Sequence, residues 1–308
     1  MSRSRRIVLL DGGMGQELIR RTGAAPAPLW SAQVMLDAPQ AVEDLHLDYI
    51  RAGAQVITIN AYSAEPTRLR KFGDPADFAK LQRAACDLAL RARDRAGAAG
   101  AGVRIAGCLP PLEWSYRPEI ARTAEEAEPV YAEVVARQAP HVDLFLCETM
   151  AASGEALGAA CAAAASAKPV WVSWTVAEHG AGLLRSGESI AAAAAALGSL
   201  PVGALLVNCS SPEAVGAAMP ALKATGRPFG GYANAFAPFE TGHAVGSTVE
   251  SLAARVDLGP GAYADHAMGW VAGGASLVGG CCETGPAHIA AIAARLASGG
   301  YEIGGDPA

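Results

Sequence analysis

Three cysteines in two places carry the strongest chemical signal. Cys209 stands in Val207-Asn208-Cys209-Ser210, and Cys281 and Cys282 stand in Val278-Gly279-Gly280-Cys281-Cys282-Glu283. Each group ends a short apolar run that reads as a buried strand. If those strands are near neighbours, three thiolates can meet at one point. Three thiolates make a zinc site with its fourth position open, and an open position is where chemistry occurs. No short-range ligand motif joins them. The competing reading is therefore ordinary buried cysteines, or an adjacent pair prone to oxidation.

Such a zinc suits one kind of reaction. Thiolates donate so much charge that the ion activates water poorly. A coordinated thiol is nevertheless deprotonated outright, whereas a free thiol with pKa about 8.5 is mostly protonated at neutral pH. The excess negative charge of an all-thiolate cluster is relieved as one sulfur gives electron density to a methyl group. The expected reaction is S-alkylation by a cationic donor.

The elements that must position these thiols alternate regularly. Strand patterns cover Ile7–Asp11, Val56–Asn60, Arg104–Leu109, Leu144–Glu148, Val170–Val176, Ala204–Cys209, Phe229–Asn234 and Ser276–Cys281. Helical patterns lie between them, among them Pro39–Ala52, Pro75–Arg95, Ala124–Gln138, Gly154–Ala167, Glu188–Leu197, Pro212–Ala224 and Pro286–Ala297. Proline in the first turn recurs, which marks helix starts. Eight strand–helix units predict an α/β fold, a (β/α)8 TIM barrel, as a single domain over residues 1–308. An open doubly wound sheet is the runner-up. It asks for a Gly-rich dinucleotide fingerprint, and Gly13-Met14-Gly15 is followed by Leu18 where the third glycine belongs.

Barrel active sites sit at the C-terminal strand ends. Asp11, Asn60, Glu148, Cys209, Asn234, Cys281 and Cys282 all fall there. One strand separates the two cysteine groups, about 10 Å between axes, a gap that side chains turned into the mouth can close. Gly279 and Gly280 are expected to let the backbone approach the metal.

Composition narrows the function classes. The chain has 308 residues, 51% of them hydrophobic, enough for a large core, and a formal charge of −6. That charge argues against nucleic acid as the main partner, because phosphate binding needs a basic surface. Arg3 to Arg6 lead straight into a short strand, without the apolar segment and cleavage site of a secretory signal. No run is long enough to span a membrane. Seven cysteines, an odd number, rule out a complete disulfide framework and point to reduced thiols in the cytoplasm.

The chain resembles the zinc-dependent homocysteine S-methyltransferases, which include S-methylmethionine- and betaine-dependent enzymes and the homocysteine-binding module of methionine synthase. The resemblance spans nearly the whole chain. It rests on Asp11-Gly12-Gly13-Met14-Gly15, Leu29-Trp30-Ser31-Ala32, the segment from His46 to Ala54, Glu148-Thr149, Asn208-Cys209 and Gly279-Gly280-Cys281-Cys282. The last two together are highly specific. The resemblance implies Cys209, Cys281 and Cys282 as zinc ligands, and Asp11, Gly12 and Glu148 as the holders of the amino-acid end of homocysteine. An anionic Glu148 facing an ammonium is sound chemistry. Asp11 has a rival role as a helix cap. Asn234 matches an asparagine that some members use as a temporary fourth zinc ligand, the alternative being a loop hydrogen bond. Trp30 and Tyr62 match donor-contacting positions of the betaine-type enzymes, where an aromatic face attracts a cation by about 0.5–2 kcal/mol. Trp171 and Trp174, on the fifth strand, are further candidates, with core packing the alternative.

Some residues depart from the family pattern or stand outside the reading. Gln16 stands where many relatives have Thr, and Glu283 where many have Gly. Cys108 and Cys147 read as bystanders near the mouth, and Cys86 and Cys161 as small core residues. The six histidines make no ligand spacing. The expected protein is a cytoplasmic zinc enzyme that makes methionine from homocysteine and a sulfonium donor, S-methylmethionine or S-adenosylmethionine. Betaine or another onium, a different thiol or selenol acceptor, and a non-catalytic binding barrel are the alternatives. It lacks the C-terminal extension with which betaine-type relatives assemble, so a monomer is expected.

Overall fold

The computed structural model describes residues 5–23, 29, 31–179, 182–238 and 252–307. Eight parallel strands run β1 (Arg6–Leu9), β2 (Val56–Thr58), β3 (Arg104–Leu109), β4 (Leu144–Met150), β5 (Val170–Trp174), β6 (Val202–Asn208), β7 (Phe229–Ala233) and β8 (Leu277–Gly280). Each pairs with the next in sequence from β2 to β8, and β8 pairs with β1. The sheet curls until Leu10, just past β1, bridges Val56. Across that seam Gln55 N–H donates to Leu9 O at 2.7 Å and Asp11 N–H to Val56 O at 3.0 Å. The α/β class and the parallel sheet are thus as expected. A short β9 (Glu302–Ile303), which sequence reading did not foresee, adds to the outer side of β1.

Two-residue alternation builds the sheet's two faces. Val8, Leu10, Val56, Ala106, Leu144, Leu146, Trp171, Ala204, Leu206 and Leu277 form one buried cluster inside the curl. Their alternates, among them Ile7, Leu9, Ile57, Ile105, Phe145 and Val172, join the larger cluster shared with the helices. Burial on both faces explains why the strands read as near-continuous apolar runs. Trp171 belongs to the inner cluster and Trp174 to the outer one, so both are core residues.

Helix ends follow local chemistry. Thr123 caps Ala124–Gln138 with a full capping box, and Ser211 caps Pro212–Ala224, whose first residue is proline. The helix expected over 75–95 is broken into a 3-10 turn, Pro75–Asp77, and Phe78–Arg95, because Asp74 caps the short turn first. Among the described residues no helix is long and apolar enough to cross a membrane.

Candidate metal centre and substrate cavity

Cys209, Cys281 and Cys282 converge: their three Sγ atoms lie within 4.8 Å of one another. Cys209 Sγ is 3.7 Å from Cys282 Sγ. Two free thiols at that separation are far from a disulfide bond of about 2.05 Å. The distance instead suits two corners of a tetrahedral ion, since zinc–sulfur bonds of about 2.3 Å put sulfurs about 3.8 Å apart. The donor set is soft, three-membered and buried except at half-buried Cys281, and it fits a thiophilic divalent metal.

Cys209 reaches this point by a backbone irregularity. β6 ends at Asn208, and Cys209 takes φ 51°, a left-handed conformation that side chains other than glycine rarely adopt. Its N–H donates to Tyr232 O of β7 at 3.2 Å, and Asn234 N–H donates to Ser210 O at 3.1 Å, so the turn is tied to the next strand. Cys281 N–H likewise donates to Ala233 O at 2.9 Å. The neighbouring glycines allow close approach. A Cβ on Gly279 would lie 2.6 Å from Leu10 Cβ, so this glycine lets β8 press against β1. A Cβ on Gly12 would lie 2.4 Å from Thr284 O, so the Asp11–Gly12 turn packs directly on the cysteine turn.

Hydrogen bonding separates the three thiols. Contacts from Cys281 and Cys282, and the Tyr116 hydroxyl donating at 3.1 Å, hold the Cys209 thiol well below the ordinary thiol range. The same contacts to Cys209, with burial, push Cys281 and Cys282 up. A metal would displace the protons that remain.

The thiols open onto a cavity of about 130 Å³ whose lining includes Asp11, Gly12, Glu148, Tyr62, Trp114 and Tyr116. Asp11 is not a cap: the following helix, Gly15–Thr22, starts from Met14 without a side-chain cap. Its Oδ2 instead accepts from Thr58 N–H at 2.8 Å. Burial raises its carboxyl well above the ordinary range, against that hydrogen bond, and the nearby Glu148 adds to the rise. Burial likewise pushes Glu148 up to about 7, opposed by a hydrogen bond from Cys108. Two buried carboxyls and three thiols, gathered at the strand ends, favour positive charge at that end of the cavity: a metal, an ammonium or an onium.

Glu148 is held by a bulge. Thr149 has φ 61°, and Asn208 clamps it, with Oδ1 accepting from Thr149 N–H at 2.9 Å and Nδ2 donating to Thr149 Oγ1 at 2.8 Å. Cys108 donates its thiol to Glu148 Oε1 at 3.1 Å and lines the cavity, so it is a partner of the site and not a bystander. Strand parity carries that signal: Ala106 faces inward, hence Cys108 does too. Cys147 points into the helix-side core.

The remaining candidates divide. Tyr62 lines the cavity and shares a 2.7 Å hydrogen bond with Ser115. Asn60 also lines it. Asn234 is buried outside the lining set. Its Oδ1 accepts from Phe236 N–H at 3.2 Å and its Nδ2 has no partner. Trp30 lies outside the described residues. Trp114 and Tyr116, in the loop after β3, were missed, because nothing in a loop's spacing shows which way its rings turn. His46 is fully buried without a partner and burial lowers it to about 4, so it stays neutral in the core.

Both departures from the family pattern have visible consequences. Glu283 sits at φ 61°, where glycine is the easy residue. Its carboxylate pairs with Arg20 at 2.9 Å, which also holds Glu17. Gln16 is 8% exposed, lines the cavity, and neither amide atom has a hydrogen-bond partner. An unpaired buried polar group costs about 1–3 kcal/mol. Gln16→Met is expected to raise the melting temperature of the ligand-free protein by about 2–4 °C, read by thermal denaturation. A fall would show that the amide is satisfied.

The match to known proteins follows this geometry. Residues 8–296 match the family model described as homocysteine S-methyltransferase. The homocysteine S-methyltransferase of Escherichia coli (strain K12) is 33% identical over 94% of this chain and 95% of its own length. The selenocysteine Se-methyltransferase of Brassica oleracea var. italica is 26% identical over 94% of this chain and 89% of its own. The crystal structure of the homocysteine methyltransferase MmuM from Escherichia coli, in its metallated form, aligns with a TM-score of 0.78 at 29% identity. The alignment covers 94% of this chain and 96% of that one.

Proposed function

The chain belongs to the homocysteine S-methyltransferase family, and from that premise we propose that it methylates homocysteine with a sulfonium donor, using zinc on Cys209, Cys281 and Cys282. We read it as one (β/α)8 barrel over residues 1–308. The observation that carries the proposal is the convergence of those three thiols beside two buried carboxyls. Seven free cysteines fit a reducing, cytoplasmic setting.

Zinc, when bound, supplies the Lewis acidity that keeps the acceptor thiol deprotonated near neutral pH. Asp11 and Glu148 receive the acceptor's ammonium, and Gly12 supplies backbone beside its amino-acid end. Cys108 fixes one oxygen of Glu148 and so aims the carboxylate. Tyr62, and Trp30 from its position in the sequence, offer aromatic faces to the onium, which no competing nucleophile would spoil. Asn234 would be a further holder of the metal, provided its Oδ1 gave up Phe236 N–H. In the displacement the acceptor sulfur's lone pair forms the new S–CH3 bond. The donor's S–CH3 bond breaks, its electron pair stays on the donor sulfur, and the thiol proton passes to solvent. Holding both partners in line removes most of the entropy cost of their encounter.

The test is methionine formation by zinc-loaded protein given homocysteine with S-methylmethionine, S-adenosylmethionine, dimethylsulfoniopropionate or betaine. Turnover with a sulfonium is the expected result. Betaine turnover alone would move the enzyme to the ammonium branch, and silence with all four would reject the reading. A selenol acceptor is the second reading, favoured by the likeness to a selenocysteine Se-methyltransferase. Competition between selenocysteine and homocysteine decides it.

A further inference from the structure

One charged group in the cavity is not used by this chemistry. Arg68 lines the cavity and is only 6% exposed. Its guanidinium has five donors, yet Nε has no partner, and among the described residues the group makes neither an ion pair nor a side-chain hydrogen bond. It stacks on a ring: Cζ lies 4.3 Å from the centre of Trp114. Glu65 attracts it without forming an ion pair, and its oxygens are already committed. Glu65 caps the helix Pro66–Phe72, its two oxygens accepting from the N–H groups of Thr67 and Arg68. A buried cation without a partner is costly, and Arg presents a planar fork matched to carboxylate. The guanidinium therefore keeps unpaired donors at the cavity, which an entering anion would take up.

The location selects which anion. Asp11, Glu148 and the thiols sit at the strand ends. Arg68 lies ten residues past the end of β2, on a helix, and stacks on Trp114, five residues past the end of β3. It lines the cavity beside Trp114, and its charged and polar neighbours are Glu65 and Tyr62, not Asp11, Glu148 or the thiols. The acceptor must reach thiols and carboxyls together, so the part of the cavity beside Arg68 and Trp114 is left to the donor. We infer that Arg68 anchors the carboxylate of the methyl donor, so that this protein selects onium donors that carry a carboxylate. The inference rests on the methyl-transfer reading above.

The donor pair that tests it is S-methylmethionine and its carboxamide, compared on zinc-loaded wild type, Arg68→Met and Arg68→Lys. Met nearly matches the length of the stem and removes buried donors that lack hydrogen-bond partners, so the variant is expected to fold with unchanged metal content. In wild type the carboxamide should have a donor KM about 10–100-fold higher than the acid. Arg68→Met should raise the KM for the acid by the same factor and leave the carboxamide unchanged, and Arg68→Lys should recover part of the preference. The KM for homocysteine should not move in either variant. Equal KM for acid and carboxamide in wild type, or a change in homocysteine KM instead, overturns the inference. If wild type turns over no onium, the methyl-transfer reading fails separately, and calorimetric binding of 3-(methylsulfanyl)propanoate against its amide judges Arg68 alone. Acid-selective binding lost in Arg68→Met upholds the carboxylate site, and equal binding of acid and amide overturns it.

Discussion

Cys209→Ala is expected to yield a folded protein that neither retains zinc nor makes methionine. Structural zinc sites bind with about 10–16 kcal/mol across four ligands. Loss of one ligand therefore costs about 3–4 kcal/mol, or about 10²–10³ in affinity. Cys209 is also the sulfur on which the other two thiols and Tyr116 converge, so its removal undoes the hydrogen bonding that gathers the cluster. The fold should survive, because alanine keeps the Cβ and the left-handed backbone is tied to β7 by Tyr232 O. Metal analysis after dialysis and an assay of methionine formation check both halves. A variant that is metal-free yet fully active would end the zinc proposal.

Glu148→Gln should separate substrate binding from metal binding. A charge-assisted hydrogen bond is worth about 1.5–3 kcal/mol, so homocysteine affinity should fall about 10–100-fold with zinc still bound. The pH dependence has a definite sign. Burial raises the folded carboxyl from 4.5 to about 7, so the native protein holds this proton more tightly than the unfolded chain. Stability from this group is then full below about 4.5 and is lost as pH rises through about 7. A shift of that size corresponds to about 3 kcal/mol, so the ligand-free Gln variant should be more stable than wild type at pH 8. Glu65 and Glu155 are also raised to about 7 by burial. The difference between wild type and variant isolates Glu148. Ligand binding runs the other way, because the ammonium needs the ionised form. Methionine has the same amino-acid end and no ionisable thiol, so its affinity for wild type should drop as pH falls through about 7. That drop should vanish in Glu148→Gln. Equal homocysteine affinity in variant and wild type would remove Glu148 from the site.

The sequence by itself determined the α/β class, the order of the strands and the neighbourhood of the site. These are local matters. Apolar runs of strand length, proline-started helices and polar residues at strand ends can each be read over a few residues. Parity along β3 and β4 even places Cys108 and Glu148 on the same inner face. Tertiary structure decided the rest. Cys209 follows Asn208, whose side chain clamps Thr149, so strand alternation alone would turn the thiol away. Only the left-handed turn at Cys209, held by β7, brings it to Cys281 and Cys282. Gly279 lies where β8 approaches β1, a contact that no local spacing shows. Arg68, Trp114 and Tyr116 reach the cavity from loops and a helix whose directions are set by packing, not by spacing. A hydrophobic period fixes which side of its own element a residue faces. The separation between residues 73 positions apart, such as Cys209 and Cys282, depends on how the sheet curls and where its backbone breaks register.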